Sequence, residues 1–273
     1  MAYGLASESC CIGKTVPTAA LHPEFHLRLF SQAAADDIVQ RLLNLDAFWL
    51  PRHPHLPFHT LGATNYYDIT GNPAKPYLRL ARQYNPFLLE NFGDVYRALL
   101  AGLQEQLGQP VDFLADAALP GFHIFGGHAD FTARDEHDIL HGAWFQRRDG
   151  HGFPGNPIHV DTAHLALGLP AAVAGAPLPT LSFTLALSLP KEGAGMKIWP
   201  LRLADIADLG GRQQMQLLQD CASRLVAYQA GGLFVHSGDY YHQARGLPVQ
   251  DGQYRITLQG HGAWLDGQWR LFW

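Results

Sequence analysis

Between residues 180 and 189, polar Thr180, Ser182, Thr184 and Ser188 alternate with apolar Leu181, Phe183, Leu185 and Leu189. A period of two sends each set to its own side of an extended chain, so this segment predicts a strand with one polar and one apolar face. The run from Gln253 to Gln259 repeats the pattern, with Arg255, Thr257 and Gln259 on one face and Ile256 and Leu258 on the other. Shorter β-prone runs predict strands at 122–125, 158–162, 196–199 and 232–236, and 64–69 reads as a further strand. Phe122 to Phe125 is closed by Gly126-Gly127, and Gly231-Gly232 opens the run Leu233-Phe234-Val235.

Helical spacing dominates elsewhere. Ser31 caps a predicted helix through Ile38, Val39, Leu42 and Leu43, with Asp36 and Asp37 in its favourable first turn. After Asn85-Pro86, the residues Leu88, Leu89, Phe92, Tyr96, Leu99, Leu100, Leu103 and Leu107 recur at helical intervals, and Gly108 and Pro110 end the helix. A helical insert is expected near 203–222. Residues 1–30 show little periodicity and read as an arm. In 50–62, Pro51, Pro54 and Pro57 oppose regular structure. Residues 128–157 form a long polar segment carrying His128, His137, His141 and His151, and so long a connection in a compact domain is usually a lid or binding element. The chain shows no internal repeat.

The 273 residues suffice for one large core, and with 47% hydrophobic and 16% charged residues the composition is that of a globular protein. A net charge of −5 and a pI near 6.3 leave no basic stripe for nucleic acid. Cys10, Cys11 and Cys221 make no disulfide framework, which fits a reducing compartment. No run reaches the ~20 apolar residues of a membrane span, and the first residues lack a basic start followed by an apolar stretch. The expectation is a cytoplasmic protein. The serine elbow G-x-S-x-G is absent, which disfavours a serine hydrolase.

Against this background one ordered set of residues carries chemistry: His159-Val160-Asp161, then His242, then Arg255-Ile256-Thr257. A His and a carboxylate two apart share a face of an extended segment, and a later His can close a metal site beside them. Two imidazoles and one carboxylate on one face of an octahedral ion leave the opposite face open for other ligands. An inward Arg in a barrel is costly unless a carboxylate meets it.

The set resembles the iron(II)- and 2-oxoglutarate-dependent dioxygenase family, whose pattern is H-x-D, a long interval, His, then Arg in an Arg-x-Ser or Arg-x-Thr pair. Gly193 to Pro200 is similar to the family's strand between the two ligand segments, and the resemblance covers about residues 120–262. It implies that His159, Asp161 and His242 are catalytic metal ligands for Fe(II), and that Arg255 and Thr257 bind the distal carboxylate of the cosubstrate 2-oxoglutarate. O2 and a small-molecule substrate complete the reaction, which hydroxylates a C–H bond and releases succinate and CO2. The expected substrate is a small polar metabolite such as an amino acid, with no nucleic-acid or membrane partner.

The fold expected is mainly β within an α+β class: a double-stranded β-helix, or jelly roll, with packed N-terminal helices. One domain would span 1–273, with an arm and helical support at 1–120 and the β core, bearing the lid-like loop at 128–157, at 121–273. Two other readings stay open. A cupin-like metal enzyme, an isomerase or ring-cleaving dioxygenase, would use the same ligands without 2-oxoglutarate and would not need Arg255 and Thr257. A non-catalytic binding domain on the same barrel would tend to lose ligands. Of the other groups, His236 is expected as a core or supporting residue, His123 as a hydrogen-bonded interior His, Trp199 as a pocket wall, and Tyr240 and Tyr241 as packing. Asn65 and Tyr67 resemble a pair some family members use on the cosubstrate but lie far upstream.

Overall fold

A computed structural model describes residues 23–53, 56–69, 76–127, 157–173, 175–191, 193–245, 249 and 251–273. The expected lid at 128–157 falls outside the described residues except for Pro157, as do Cys10, Cys11 and most of the arm. Fourteen strands are described: β1 Phe25–Arg28, β2 Leu50–Pro51, β3 Phe58–Leu61, β4 Val111–Phe113, β5 Gly121–Gly126, β6 Ala172–Val173, β7 Ala176–Pro177, β8 Thr180–Ser188, β9 Gly195–Arg202, β10 Arg224–Ala227, β11 Gly232–Ser237, β12 Tyr240–Ala244, β13 Tyr254–Leu265 and β14 Gln268–Phe272. The helices are α1 Gln32–Leu43, α2 Asn65–Asp68, α3 Pro76–Leu107, α4 Ala163–Ala166 and α5 Gly211–Asp220.

The large sheet runs β1-β11-β8-β13-β5-β3-β2, with β14 joining β13 and β4, and the small sheet runs β10-β9-β12. From β8 onward the chain passes from the large sheet to the small (β9, β10), back (β11), across again (β12) and back (β13). Two sheets, antiparallel except where β14 meets β4, linked by strands that alternate between them make a jelly roll. The small sheet gains one isolated antiparallel bridge, His159 to His242.

The alternating patterns of β8 and β13 find their two environments. Leu181, Phe183, Leu185, Leu187, Ile256 and Leu258 pack with Ile38, Leu42, Leu88, Phe92 and Leu99 of α1 and α3 in one buried cluster. The opposite face looks between the sheets, where Ala186 meets Met196, Ile198, Val226 and Phe234 at one end and the polar residues line a cavity. Burying ~25 cal/mol per Å² of apolar surface on the helix side holds the sheet register that aims the polar side inward. Among the described residues no helix is long and apolar enough to cross a membrane.

Five local expectations are corrected. Residues 65–68 are helix, not strand: the Thr64 side chain accepts from Tyr67 N at 3.3 Å and Asp68 Oδ2 accepts from Thr64 N at 2.7 Å, a reciprocal cap that outweighs the β propensity of two tyrosines. The strand lies earlier, at β3, within the segment whose prolines were expected to oppose one; Pro57 precedes β3, and Pro51 sits in the terminal strand β2, where a missing N–H costs nothing. The arm contributes β1, paired with β11. Residues 158–162 form only the single bridge, with His159 N to His242 O at 3.0 Å and His242 N to His159 O at 2.8 Å. α3 begins at Pro76, before Pro86, and its break falls at Phe92, with φ −134° and ψ 23°. It ends at Leu107, and Gly108 takes the left-handed φ of 63° that closes it.

Candidate metal and cosubstrate site

The bridge brings the two sequence-distant histidines side by side, their rings tilted by 55° with centroids 4.3 Å apart. Asp161 is tied next to them by its own N–H, which donates to Gly238 O at 2.8 Å in the turn between β11 and β12. Gly238 gives a close approach there: a Cβ would stand 3.1 Å from Thr180 Oγ1, 3.3 Å from Ser182 Oγ and 3.4 Å from Asp161 Cβ, tighter than most such contacts. One ligand atom each from His159, Asp161 and His242 lies within 4.8 Å of the others. His242 Nε2 is 3.3 Å from Asp161 Oδ2, and His159 Nε2 is 3.7 Å from Asp161 Oδ1.

The donor set fits a divalent transition ion. His159 Nδ1 lies 2.8 Å from Pro157 O and His242 Nδ1 lies 2.8 Å from Tyr240 O. A carbonyl can only accept, so both Nδ1 atoms carry hydrogen and both Nε2 atoms offer lone pairs, the tautomer a metal ligand needs. Burial pushes the Asp161 carboxyl up, but His242, His261 and His159 around it outweigh burial and hold it well below the usual carboxylate range. His242 is pushed down by burial and raised on balance by Asp161. A metal that displaces the His242 proton would meet two imidazole Nε2 lone pairs beside an ionised carboxylate, an N,N,O set that matches a non-haem iron site.

These three residues open onto a cavity of about 480 Å³. Arg255, Thr257 and Gln259 line it from β13, as their alternation predicts, and Ser182 and Thr184 line it from β8. Arg255 donates to Arg245 O at 3.2 Å, and among the described residues no carboxylate pairs with it. Burial lowers its pKa and the nearby Tyr228 acts to raise it, so the guanidinium sits in a desolvated position without a counter-ion among the described residues. Tyr228 also hydrogen-bonds Thr184. Thr257 Oγ1 accepts from Gln259 Nε2 at 2.8 Å, which leaves its own hydrogen free to donate. The structure therefore brings together all five residues singled out in the sequence.

Other groups fall differently from expectation. Trp199 is not a cavity wall: it packs with Ile206, Leu218 and Tyr241, and its Nε1 donates to Leu218 O at 2.8 Å. Tyr241 packs as expected. His123 lines the cavity with an unpartnered Nε2, where a hydrogen-bonded His was expected, and burial pushes it down to about 3. His236 is buried beside His242, centroids 4.6 Å apart, and is likewise pushed down to about 3. Asn65 and Tyr67, too distant in sequence to be placed, both reach the cavity from α2, which Arg52 anchors through a two-point ion pair to Asp68 at 2.8 and 2.9 Å. Ser182, His261, Tyr66, Tyr228 and Trp273 also line the cavity and were not singled out as site residues. The alternation of β8 and β13, continued two residues past Gln259, was the available signal for Ser182 and His261.

No protein-family model matches the chain, and no curated protein matches it. Among solved structures, an N-substituted L-amino acid dioxygenase from Burkholderia ambifaria AMMD in complex with alpha-KG is 18% identical with TM-score 0.32, over 42% of this chain and 48% of that one. The match thus spans about half the length of that dioxygenase. The non-heme alpha ketoglutarate dependent epimerase SnoN from nogalamycin biosynthesis is 11% identical with TM-score 0.46, over 91% of this chain and 84% of that one. HygX from Streptomyces hygroscopicus, with nickel and 2-oxoglutarate bound, is 12% identical with TM-score 0.42, over 92% and 87%. All of these scores lie below one half, so the functional argument rests on the residues of this chain.

Proposed function

We propose that the protein is an Fe(II)- and 2-oxoglutarate-dependent oxygenase that hydroxylates a C–H bond of a small polar metabolite, releasing succinate and CO2. The observation that carries this reading is Arg255, a desolvated guanidinium with no carboxylate partner among the described residues, on the wall of the cavity that holds His159, Asp161 and His242. A planar fork in that position suits a dicarboxylate ligand, one end of which reaches the metal. A cupin-like enzyme working without 2-oxoglutarate leaves this Arg unexplained.

In this reading His159, Asp161 and His242 hold the iron, which when bound supplies the O2 activation that no side chain can. Arg255 receives the distal carboxylate of 2-oxoglutarate, and Thr257 donates its free hydroxyl hydrogen to the same group. Met196 and Ala244, apolar members of the wall, keep water from competing for the guanidinium. The substrate side has aromatic and hydrogen-bonding groups, Tyr66, Tyr67, Trp273 and Asn65, which suit a small molecule with polar substituents; an amino acid is one such case. Strands from before residue 120 pair within the sheet that carries Arg255, which supports one domain. A ferrous site suits a reducing compartment, and the cytoplasm is the location proposed.

The test is direct. Protein loaded anaerobically with Fe(II) is titrated with 2-oxoglutarate by calorimetry, then exposed to air with ascorbate, and succinate is measured with and without a metabolite extract. Saturable binding and extract-stimulated succinate support the proposal. Metal binding without any affinity for 2-oxoglutarate would move the assignment to the cupin-like reading.

A further inference from the structure

Across three neighbouring strands the register sets His236, Ser182 and His261 in one row, β11 to β8 to β13. Ser182 is the middle member, and its Oγ lies 2.5 Å from Asp161 Oδ2 and 3.0 Å from His261 Nδ1. An ionised carboxylate only accepts, so the single hydroxyl hydrogen of Ser182 goes to Asp161. Its lone pair then faces His261, whose Nδ1 must carry hydrogen. A neutral imidazole protonated there presents a lone pair at Nε2, and the Tyr66 hydroxyl stands 3.2 Å from that atom. The same hydroxyl is 3.5 Å from Asp161 Oδ1, at the edge of hydrogen-bond range. Ser182 and His261 are 4% and 6% exposed, so both links lie in a largely desolvated wall of the cavity.

We infer that Tyr66, His261 and Ser182 form a directed hydrogen-bond relay that fixes the rotation of the Asp161 carboxylate, and that they are positioning residues for the metal site. The inference rests on the metal-binding part of the proposed function. The hydrogens all run one way, fixed by the acceptor-only carboxylate: Tyr66 donates to His261 Nε2, His261 Nδ1–H donates to Ser182 Oγ, and the Ser182 hydroxyl occupies one lone pair of Oδ2. Beyond the relay, the Asp161 carboxylate faces the Nε2 atoms of His242 and His159 at 3.3 and 3.7 Å, the atoms a metal would take up, and its backbone is tied to Gly238. Gly238 lets the turn approach both Ser182 and Asp161, so the packing around the relay also depends on a missing side chain. Partners that orient a metal ligand in this way commonly change metal affinity by about 10- to 100-fold when removed.

The probe is Co(II), titrated into the full chain by calorimetry and followed by its visible absorption, with no turnover required. Ser182→Ala is expected to weaken Co(II) about 10- to 100-fold and to shift the bands at saturation, because the carboxylate is no longer held in one rotation. Ser182→Thr, which keeps the hydroxyl, is expected to restore both. His261→Leu should weaken binding, and His261→Asn, whose amide N–H stands near the place of Nδ1–H, should recover most of it. Tyr66→Phe should give a smaller loss. Wild-type affinity and spectrum in Ser182→Ala or His261→Leu would overturn the inference. So would a Thr variant as weak as the Ala variant, since loss would then follow packing and not the hydroxyl. A wild-type protein that binds no Co(II) is a different outcome, refuting the metal site itself.

Discussion

Replacing Arg255 by Ala removes the one group that separates a 2-oxoglutarate enzyme from a barrel that uses metal alone. In the structure the guanidinium is desolvated, and its hydrogen bond to the Arg245 carbonyl at 3.2 Å does not neutralise it. Burial disfavours the cation, and a carboxylate arriving at the cavity wall would offset that penalty. Breaking a buried pair by deleting one partner costs about 3–5 kcal/mol, because the remaining charge is left desolvated. At about 1.4 kcal/mol per tenfold, this is roughly two to four orders of magnitude in Kd. Thr257 and Tyr228 remain on the same wall as polar groups that could still meet the carboxylate, which places the expected loss toward the lower end. The measurement is calorimetric titration of 2-oxoglutarate into Mn(II)-loaded protein, a redox-silent form in which binding is read without turnover. Arg255→Lys should recover part of the affinity, since an ammonium supplies charge without the planar fork. Unchanged affinity for 2-oxoglutarate in Arg255→Ala would refute the assignment of this side chain and the cosubstrate argument built on it.

Asp161→Ala removes the proposed anionic ligand and should abolish the stabilisation by metal expected of wild type, about 2.7 kcal/mol at a hundredfold excess over Kd; a rise in Tm with Mn(II) in the variant equal to that of wild type would contradict the ligand set. Arg52→Ala should destabilise the fold by about 3–5 kcal/mol, because Asp68 is 5% exposed and loses a two-point partner that also bonds Thr60 and the Gly62 carbonyl. Chemical denaturation measures it, and a change under ~1 kcal/mol would show that α2 does not depend on the pair. Thr257→Val should weaken 2-oxoglutarate about tenfold or less, the scale of one hydrogen bond, with metal affinity unchanged by the same titrations.

What local pattern could reveal, and what it could not, divides along physical lines. Alternation in β8 and β13 is set by the pleat, so the inward turn of Arg255, Thr257 and Gln259 was legible without knowing what lay opposite. The H-x-D pair was legible as chemistry, although the segment carrying it makes one bridge and no strand. At 64–69, aromatic β propensity suggested a strand, and a reciprocal cap between Thr64 and Asp68 decided for helix. Pro86 suggested a helix start, yet α3 carries it inside and breaks at Phe92 instead.

The relay around Asp161 is of another kind. Tyr66 and His261 are 195 residues apart, and nothing near either residue announces the other. Parity places Ser182 and His261 on inward faces, but contact between them needs β8 and β13 to pair in the register that sets Ser182 opposite His261. That register is chosen on the far side of the sheet, where Leu181, Leu185, Ile256 and Leu258 pack against α1 and α3. A slip of one residue would turn Ser182 toward the helices and put a leucine against the Asp161 carboxylate, exchanging a satisfied polar group for a buried unsatisfied one on each face. The hydrophobic core therefore selects the hydrogen bonds of the site, and the polar row is readable only once the apolar row behind it has been placed.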